Sequence, residues 1–404
     1  MGAVKCYDQA IQLNPDYVEA YNNRGNAHKE LGQLEEAIKN YDKAVQLNPD
    51  YAEAYYNRGI ALNEFDRLED AIKSYDRAIE IKPDYAEPYH NRGIALKELG
   101  KVEEAIKSYD HAIQFKPDFV KAYNNHGLAL QDCGRLEEAI KSYEKALQIS
   151  PKYYFARYNR SLAWLLVGKL QQAWPEYEFR FKAFEDQKRT FRKGIQWKGE
   201  PLEDKLVFVY PEQGIGDAIQ FMRYLPLIKK LGGKVIFEVR QPLVRLVETF
   251  KGYDKLWTHK QNRDLSSINR FDYHVALMSL PGLFNTTLEN IPSASPYLSA
   301  DNKLLRMWQT RLASKELFKV GIVWAGAGGH KKDHMRSIRL SDFKVLKDIK
   351  GLKLFSLQKE KHAKWTDIDP GEVVDIDLGA KIIDFADTAA IIENLDLVVS
   401  VDTS

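Results

Sequence analysis

Cysteine is nearly missing from this sequence: 404 residues hold two, Cys6 and Cys133. That excludes a disulfide framework and fits a reducing, cytoplasmic compartment. Charge of one sign is missing too, with 59 Lys and Arg against 57 Asp and Glu and a net charge of +2. Neither a nucleic-acid binder nor an acidic tail protein is indicated. No apolar run approaches the length of a membrane span. The opening Met-Gly-Ala-Val-Lys-Cys is no secretory signal, and it fails the myristoylation pattern, which wants Ser or Thr where Cys6 stands.

Repetition is what the chain has in abundance, at a period of 34 residues. Units open at Tyr17, Tyr51, Tyr85 and Phe119 near the form Y-x-E-A-Y-x-N-R-G-x-A, and a more divergent fifth runs from Tyr153 to about Phe184. Gly25, Gly59, Gly93 and Gly127 recur in register with Tyr41, Tyr75, Tyr109 and Tyr143 and with Ala37, Ala71, Ala105 and Ala139. Small residues let two antiparallel helices approach, the tyrosines fill the space between units, and Pro49, Pro83, Pro117 and Pro151 end each second helix. Cys133 stands in the slot of Leu31, Phe65 and Leu99 and reads as a small core hydrophobe. Cys6 matches the polar slot of Asn40, Ser74, Ser108 and Ser142.

These positions resemble tetratricopeptide repeats. The resemblance implies an α-helical solenoid over residues 1–185 with a groove that binds a protein or peptide. Asn23, Asn57, Asn91, Asn125 and Asn159 fall one per unit on the inner helix. A carboxamide carries donors and an acceptor together, which suits the backbone amides of an extended partner. The alternative is that they face water or hold neighbouring backbone. Arg24, Arg58, Arg92 and Arg160, with His126 in the same series, are expected to pack by their stems and reach solvent with their heads. Residues 3–16 match the second helix of a unit whose first helix is missing, so the sequence reads as a fragment or as carrying a misplaced start.

Residues 186–204 read as a basic, solvated linker. From Lys205 strands and helices alternate, which argues a parallel sheet covered on both faces. Residues 206–210, 234–240 and 271–280 read as strands, with a helix over 242–250 and a polar crossover loop over 285–299. A second series follows at 319–328, 352–358, 372–378 and 395–402. Each series opens on a strand that runs into glycines: Gly214 and Gly216, expected in a tight or left-handed turn, and Gly326, followed by Lys331, Lys332, Arg336 and Ser337. Glycines that bare N–H groups next to clustered cations make a pyrophosphate cradle. Asp217, where a helix starts, suits an N-cap first, and the same carboxylate can also serve as a base toward an acceptor hydroxyl. His330 and His334 lack a third ligand, so no metal is expected, and strand alternation accounts for Asp375-Ile376-Asp377.

The stretches EQGIGDAIQF-x-RYLP, VGIVWAG…HKKD…RSI, FSLQK, DFADTAA and LDLVVSVDTS resemble the C-terminal region of bacterial tetratricopeptide-linked glycosyltransferases. They are similar to ADP-heptose transferases and, more remotely, to protein O-GlcNAc transferases, over roughly Trp197 to Ser404. The resemblance implies a GT-B fold of paired Rossmann-like domains, residues 205–300 on the acceptor side and 301–404 on the nucleotide-sugar side. The second is expected to be incomplete, because the family continues past Asp402 and Thr403. It implies metal-independent, inverting transfer from a nucleotide-sugar substrate, with no cofactor. By position it makes Asp217 the base, Arg336 a cation on the donor diphosphate, and Asp402 and Thr403 the start of the donor-binding turn. The alternative is a scaffold whose α/β part has no catalysis.

Overall fold

Each sequence repeat folds as two antiparallel helices whose inner face is built from alanine, glycine and one tyrosine. The structure, a computed structural model, describes residues 2–185, 194–258, 271–313, 317–326, 336–359 and 364–401. It divides into two compact units, Met1–Lys188 and Arg189–Ser404.

In the first unit α1 (Gly2–Leu13) precedes five hairpins: α2 (Val18–Glu30) with α3 (Leu34–Leu47), α4 (Ala52–Glu64) with α5 (Leu68–Ile81), α6 (Ala86–Glu98) with α7 (Val102–Phe115), α8 (Val120–Asp132) with α9 (Leu136–Ile149), and α10 (Tyr154–Leu166) with α11 (Leu170–Tyr177). A last turn, α12 (Arg180–Ala183), packs on α10. α3, α5, α7 and α9 each end two residues before the proline that the sequence marked. Each first helix also touches the first helix of the next hairpin, so these helices share one face of the array. Gly32, Gly100, Gly134 and Gly168 make the turn inside a hairpin at φ between 72° and 78°, a conformation that costs glycine nothing. Asp66 takes the same turn at φ 60°.

Tyr41, Tyr75, Tyr109 and Tyr143 are fully buried, and each ring lies on the glycine of its own hairpin. A Cβ added at Gly93 would stand 2.6 Å from Tyr109 Cε1. Two effects compete in Gly93→Ala. Alanine gains roughly 1 kcal/mol of helix propensity, while overpacking a filled core costs about 1–3 kcal/mol. The ring is wedged between helices, so the clash wins. Gly93→Ala is expected to lower the urea midpoint of the chain, and an unchanged or raised midpoint would contradict this packing.

The second unit holds two all-parallel sheets. The first is ordered β1-β5-β2-β3-β4, from β1 (Ile195–Gln196), β2 (Leu206–Tyr210), β3 (Lys234–Val239), β4 (Lys255–Thr258) and β5 (Tyr273–Ala276). The second is ordered β8-β7-β6-β9, from β6 (Phe318–Val323), β7 (Leu352–Ser356), β8 (Ile376–Asp377) and β9 (Leu397–Ser400). Val207, Val209, Val235, Phe237, Val239 and Val275 form one buried face of the first sheet. The alternate residues Phe208, Tyr210, Ile236, Glu238 and His274 occupy the other.

Several expectations need correction here. The linker ends sooner than expected: β1 pairs with β5, and Trp197 and Leu202 are buried in the first core. The segment is drawn in because Trp197 is too apolar to leave in water, and its indole N–H donates to the Glu200 carbonyl at 2.9 Å. The expected helix over 242–250 is a 3-10 turn, Gln241–Leu243, followed by Val244–Val247. The expected strand over 271–280 is helical from Leu277 onward. β4 was not expected at all.

Candidate functional site

Strand order places the candidate loops. In the first sheet the chain steps from β2 to β3 to β4 and then returns to β5 on the far side of β2. In the second it steps from β6 to β7 to β8 and returns to β9 on the far side of β6. Ligands of open parallel sheets bind where the order reverses, outside the carboxyl ends of the strands. The loop after β2 carries Gly214, with Asp217 in the first turn of the helix that follows, and the loop after β6 carries Gly326. Each glycine loop picked from sequence therefore stands at a switch point.

At the first, Gly214 is the N-cap of helix Ile215–Phe221 at φ −65° and ψ 174°, and Gly216 lies inside that helix. Neither needs a left-handed backbone, contrary to expectation. Asp217 is the third helical residue rather than the cap, and its carboxylate accepts from the Gly214 N–H at 2.9 Å. That is the returning half of a capping box. Arg240, just past β3, holds the loop by donating to the Gln213 carbonyl at 2.7 Å. Arg223 and Tyr297 pin the stretch 285–299 to the same helix: Arg223 donates to the Tyr297 hydroxyl at 3.2 Å, which donates to the Ile219 carbonyl at 2.9 Å.

At the second, Gln358 clamps the backbone. Its Oε1 accepts from the N–H groups of Trp324 (3.2 Å) and Ala325 (3.1 Å), and its Nε2 donates to the Ala325 carbonyl (2.9 Å). Buried Ser337 accepts from the Gly326 N–H through Oγ at 3.1 Å, so that N–H is occupied rather than bare. Arg336 is half-buried beside it. Lys331, Lys332, His330, His334, Asp402 and Thr403 lie outside the described residues. Asp375 and Asp377 accept from the N–H groups of Leu354 and Gly379 at 2.8 and 3.0 Å, as end residues of a strand do.

The DFADTAA stretch ties the two sheets together. Asp384 caps helix Phe385–Glu393. Asp387, 1% exposed, accepts from the Trp308 indole N–H (2.9 Å), the Ile383 N–H (3.2 Å) and Arg245 (3.4 Å). Arg245 follows β3 and also reaches Asp384 at 3.2 Å, so one guanidinium joins helices of both sheets.

In the solenoid the asparagines are wired to one another's neighbours. Nδ2 of Asn57, Asn91, Asn125 and Asn159 meets the side chain 35 residues earlier, on the preceding hairpin: Asn22, Tyr56, His90 and Asn124, at 2.9–3.3 Å. Asn57 and Asn159 are buried, Asn91 and Asn125 half-buried, and Asn23 exposed. One Nδ2 donor each of Asn57, Asn91, Asn125 and Asn159 is thus engaged inside the protein, which sequence reasoning did not foresee.

The arginine series is a correction as well. Arg58 donates to Asp42 of the preceding hairpin (2.6 Å) and to Ser74 of its own (3.0 Å). Arg92 does the same with Asp76 (2.6 Å) and Ser108 (2.7 Å), and Arg24 with Asp8 (2.7 Å) and Asn40 (2.6 Å). The heads of Arg24, Arg58 and Arg92 clip each hairpin to the helix before it, while Arg160 donates to Glu176 within its own hairpin at 2.9 Å through Nε. In this slot His126 meets Ser142 (2.9 Å) and Asp110 (3.2 Å), the connectivity of a charge-relay triad. Ser142 is buried and donates to the Glu138 carbonyl at 3.1 Å, and the other hairpins fill the slot with arginine, so this too is a clip. Cys133, expected in the core, is only partly buried, with its thiol 3.6 Å from Glu103.

Buried Glu238, half-buried His274 and the clamp Gln358 were missed from sequence. Strand alternation puts Glu238 and His274 on the face of Phe208, and burial holds the His274 imidazole below its ordinary pKa. Among the described residues no helix is long and apolar enough to cross a membrane.

Comparison with known proteins matches residues 2–32, 25–64, 66–100 and 95–134 to the family described as TPR repeat, and residues 120–153 to that described as Tetratricopeptide repeat. Protein FlbA of Caulobacter vibrioides is 27% identical over 162 residues, which are 36% of this chain and 27% of that protein. The chain thus spans about a quarter of that relative's length. Among solved structures, MamA is 33% identical over 37% of this chain and 87% of its own, with a TM-score of 0.36. YrrB, described as a TPR protein with an unusual peptide-binding site, is 21% identical over 45% of this chain and 94% of its own, with a TM-score of 0.39.

Proposed function

With residues 2–153 belonging to the tetratricopeptide-repeat family, we propose that the chain is a repeat-fronted glycosyltransferase, its solenoid docking a polypeptide acceptor and its α/β unit holding a nucleotide sugar. The observation that carries this reading is the placement of both glycine loops at the switch points of two parallel sheets. In it, Arg336 and the backbone after β6 take the donor diphosphate, together with Lys331, Lys332, Asp402 and Thr403. Ser337 shapes the loop by holding the Gly326 N–H. Asp217 receives the acceptor's proton, and Gly214 positions its carboxylate. A cation beside a departing diphosphate stabilises the charge that grows on it, and no metal is required.

A second reading is an adaptor whose α/β unit is not catalytic. Its support is that the Asp217 carboxylate and the Gly326 N–H are both engaged in local bonds that shape their loops.

Calorimetric titration of the full chain with ADP, GDP and UDP separates the two. The transferase reading expects one nucleotide to bind, and Arg336→Ala to weaken it at least about tenfold, the worth of one charge-assisted hydrogen bond. It also expects Asp217→Asn to leave that binding unchanged while abolishing donor hydrolysis. Binding of none of the three would sink the transferase and leave the adaptor.

A further inference from the structure

The carboxamides of the first helices are wired in one direction. Asn159 Nδ2 donates to Asn124 Oδ1 at 2.9 Å, Asn124 Nδ2 to Asn125 Oδ1 at 3.3 Å, and Asn125 Nδ2 to His90 Nε2 at 3.0 Å. An amide nitrogen only donates, so Nε2 is bare and the proton sits on Nδ1. From there it is donated to Asn91 Oδ1 at 3.0 Å, and Asn91 Nδ2 donates on to the Tyr56 hydroxyl at 3.3 Å. The wire thus runs from the fifth hairpin to the second with a single imidazole in it. A separate wire, Asn57 to Asn22 (3.0 Å) to the Tyr51 hydroxyl (3.5 Å), contains no imidazole.

We propose that His90 is a polarity switch for the peptide-facing helices: a proton on Nε2 reverses Asn125, Asn124 and Asn159 in turn. With Nε2 protonated, two donors face each other, and Asn125 must turn its oxygen toward the ring. Its Nδ2 then confronts Asn124 Nδ2, and Asn124 must turn too; Asn159 follows for the same reason. Asn159 Oδ1 has no partner among the described residues, so the free atom of the last carboxamide changes from acceptor to donor. A docked backbone at the fifth hairpin then meets the opposite hydrogen-bonding sense.

The surroundings set when this happens. On its own helix His90 has Glu87, whose charge favours the proton, and across the junction Lys121 on α8, which opposes it. The rings of Tyr109 on α7 and of Phe119 close over it at 5.9 and 4.8 Å. Burial dominates and holds the imidazole down to about 4, so the reversal belongs to acid conditions. Its effect on a docked chain rests on the docking reading above. The reversal itself does not, so it can fail while docking stands.

The test is the pH dependence of side-chain amide resonances in the ¹⁵N-labelled full chain, from pH 7 to 4. The expected result is that Asn125, Asn124 and Asn159 shift together with the His90 ring while Asn57 stays still. In His90→Asn, which installs the residue present at Asn22 and Asn124, the three are expected to be flat. Asn124 and Asn159 unmoved while the ring titrates, or moving equally in His90→Asn, would overturn the proposal. Should the variant fail to fold, Asn57 in the unaltered protein remains the control that decides.

Discussion

Asp387→Ala is expected to destabilise the α/β unit by about 2–4 kcal/mol, because it leaves buried N–H donors without an acceptor, at about 1–3 kcal/mol each. The side chain is 1% exposed and satisfies three donors at once, from Trp308, Ile383 and Arg245. Its loss strands the Trp308 indole N–H in a fully buried position. Arg245 is 37% exposed on its side chain, so water can replace its partner, and Arg245→Ala is expected to cost only about 1 kcal/mol. Urea unfolding followed by tryptophan fluorescence measures both. A change below about 0.5 kcal/mol for Asp387→Ala, the range of ordinary surface substitutions, would mean that the DFADTAA stretch does not tie the sheets together.

The second large effect is acid lability of the solenoid. His90 is 7% exposed and its imidazole is held down to about 4, against about 6.5 in an unfolded chain. The folded state therefore binds fewer protons. Stability is complete above the unfolded value, falls as pH drops from 6.5 toward 4, and falls no further below that. The total loss is about 3 kcal/mol by proton linkage. His90→Asn removes this window, so the difference in unfolding free energy between the two proteins should grow between pH 6.5 and 4. A difference independent of pH would contradict a buried neutral His90.

The solenoid could be read closely because its determinants are local and repeated. A glycine, an alanine and a tyrosine at fixed offsets decide how two neighbouring helices pack, and a proline stops each second one. The wiring of the same helices could not be read, because it pairs each asparagine with whatever precedes the asparagine of the previous hairpin. Those residues, Asn22, Tyr56, His90 and Asn124, share no chemistry that a period could display. The arginines misled for a related reason: their acceptors, Asp42 and Asp76, sit on helices that only the fold brings near.

In the α/β unit the long apolar strands β2, β3, β6 and β7 were legible from composition. The edge strands β1 and β4 were not, being two and four residues long and paired on the strength of a neighbour already in place. Both glycine loops were found from sequence, and sheet order then gave them a common position. The bonds that occupy Asp217 and the Gly326 N–H appear only in three dimensions, because Gly214 and Ser337 supply the partners.

The transferase reading is tested most directly by a crystal structure of the full chain soaked with the nucleoside diphosphate that binds it. The expected result is a diphosphate at the carboxyl ends of β6 and β9, within hydrogen-bonding reach of Arg336. A nucleotide bound elsewhere on the chain, or none at saturating concentration, would contradict it.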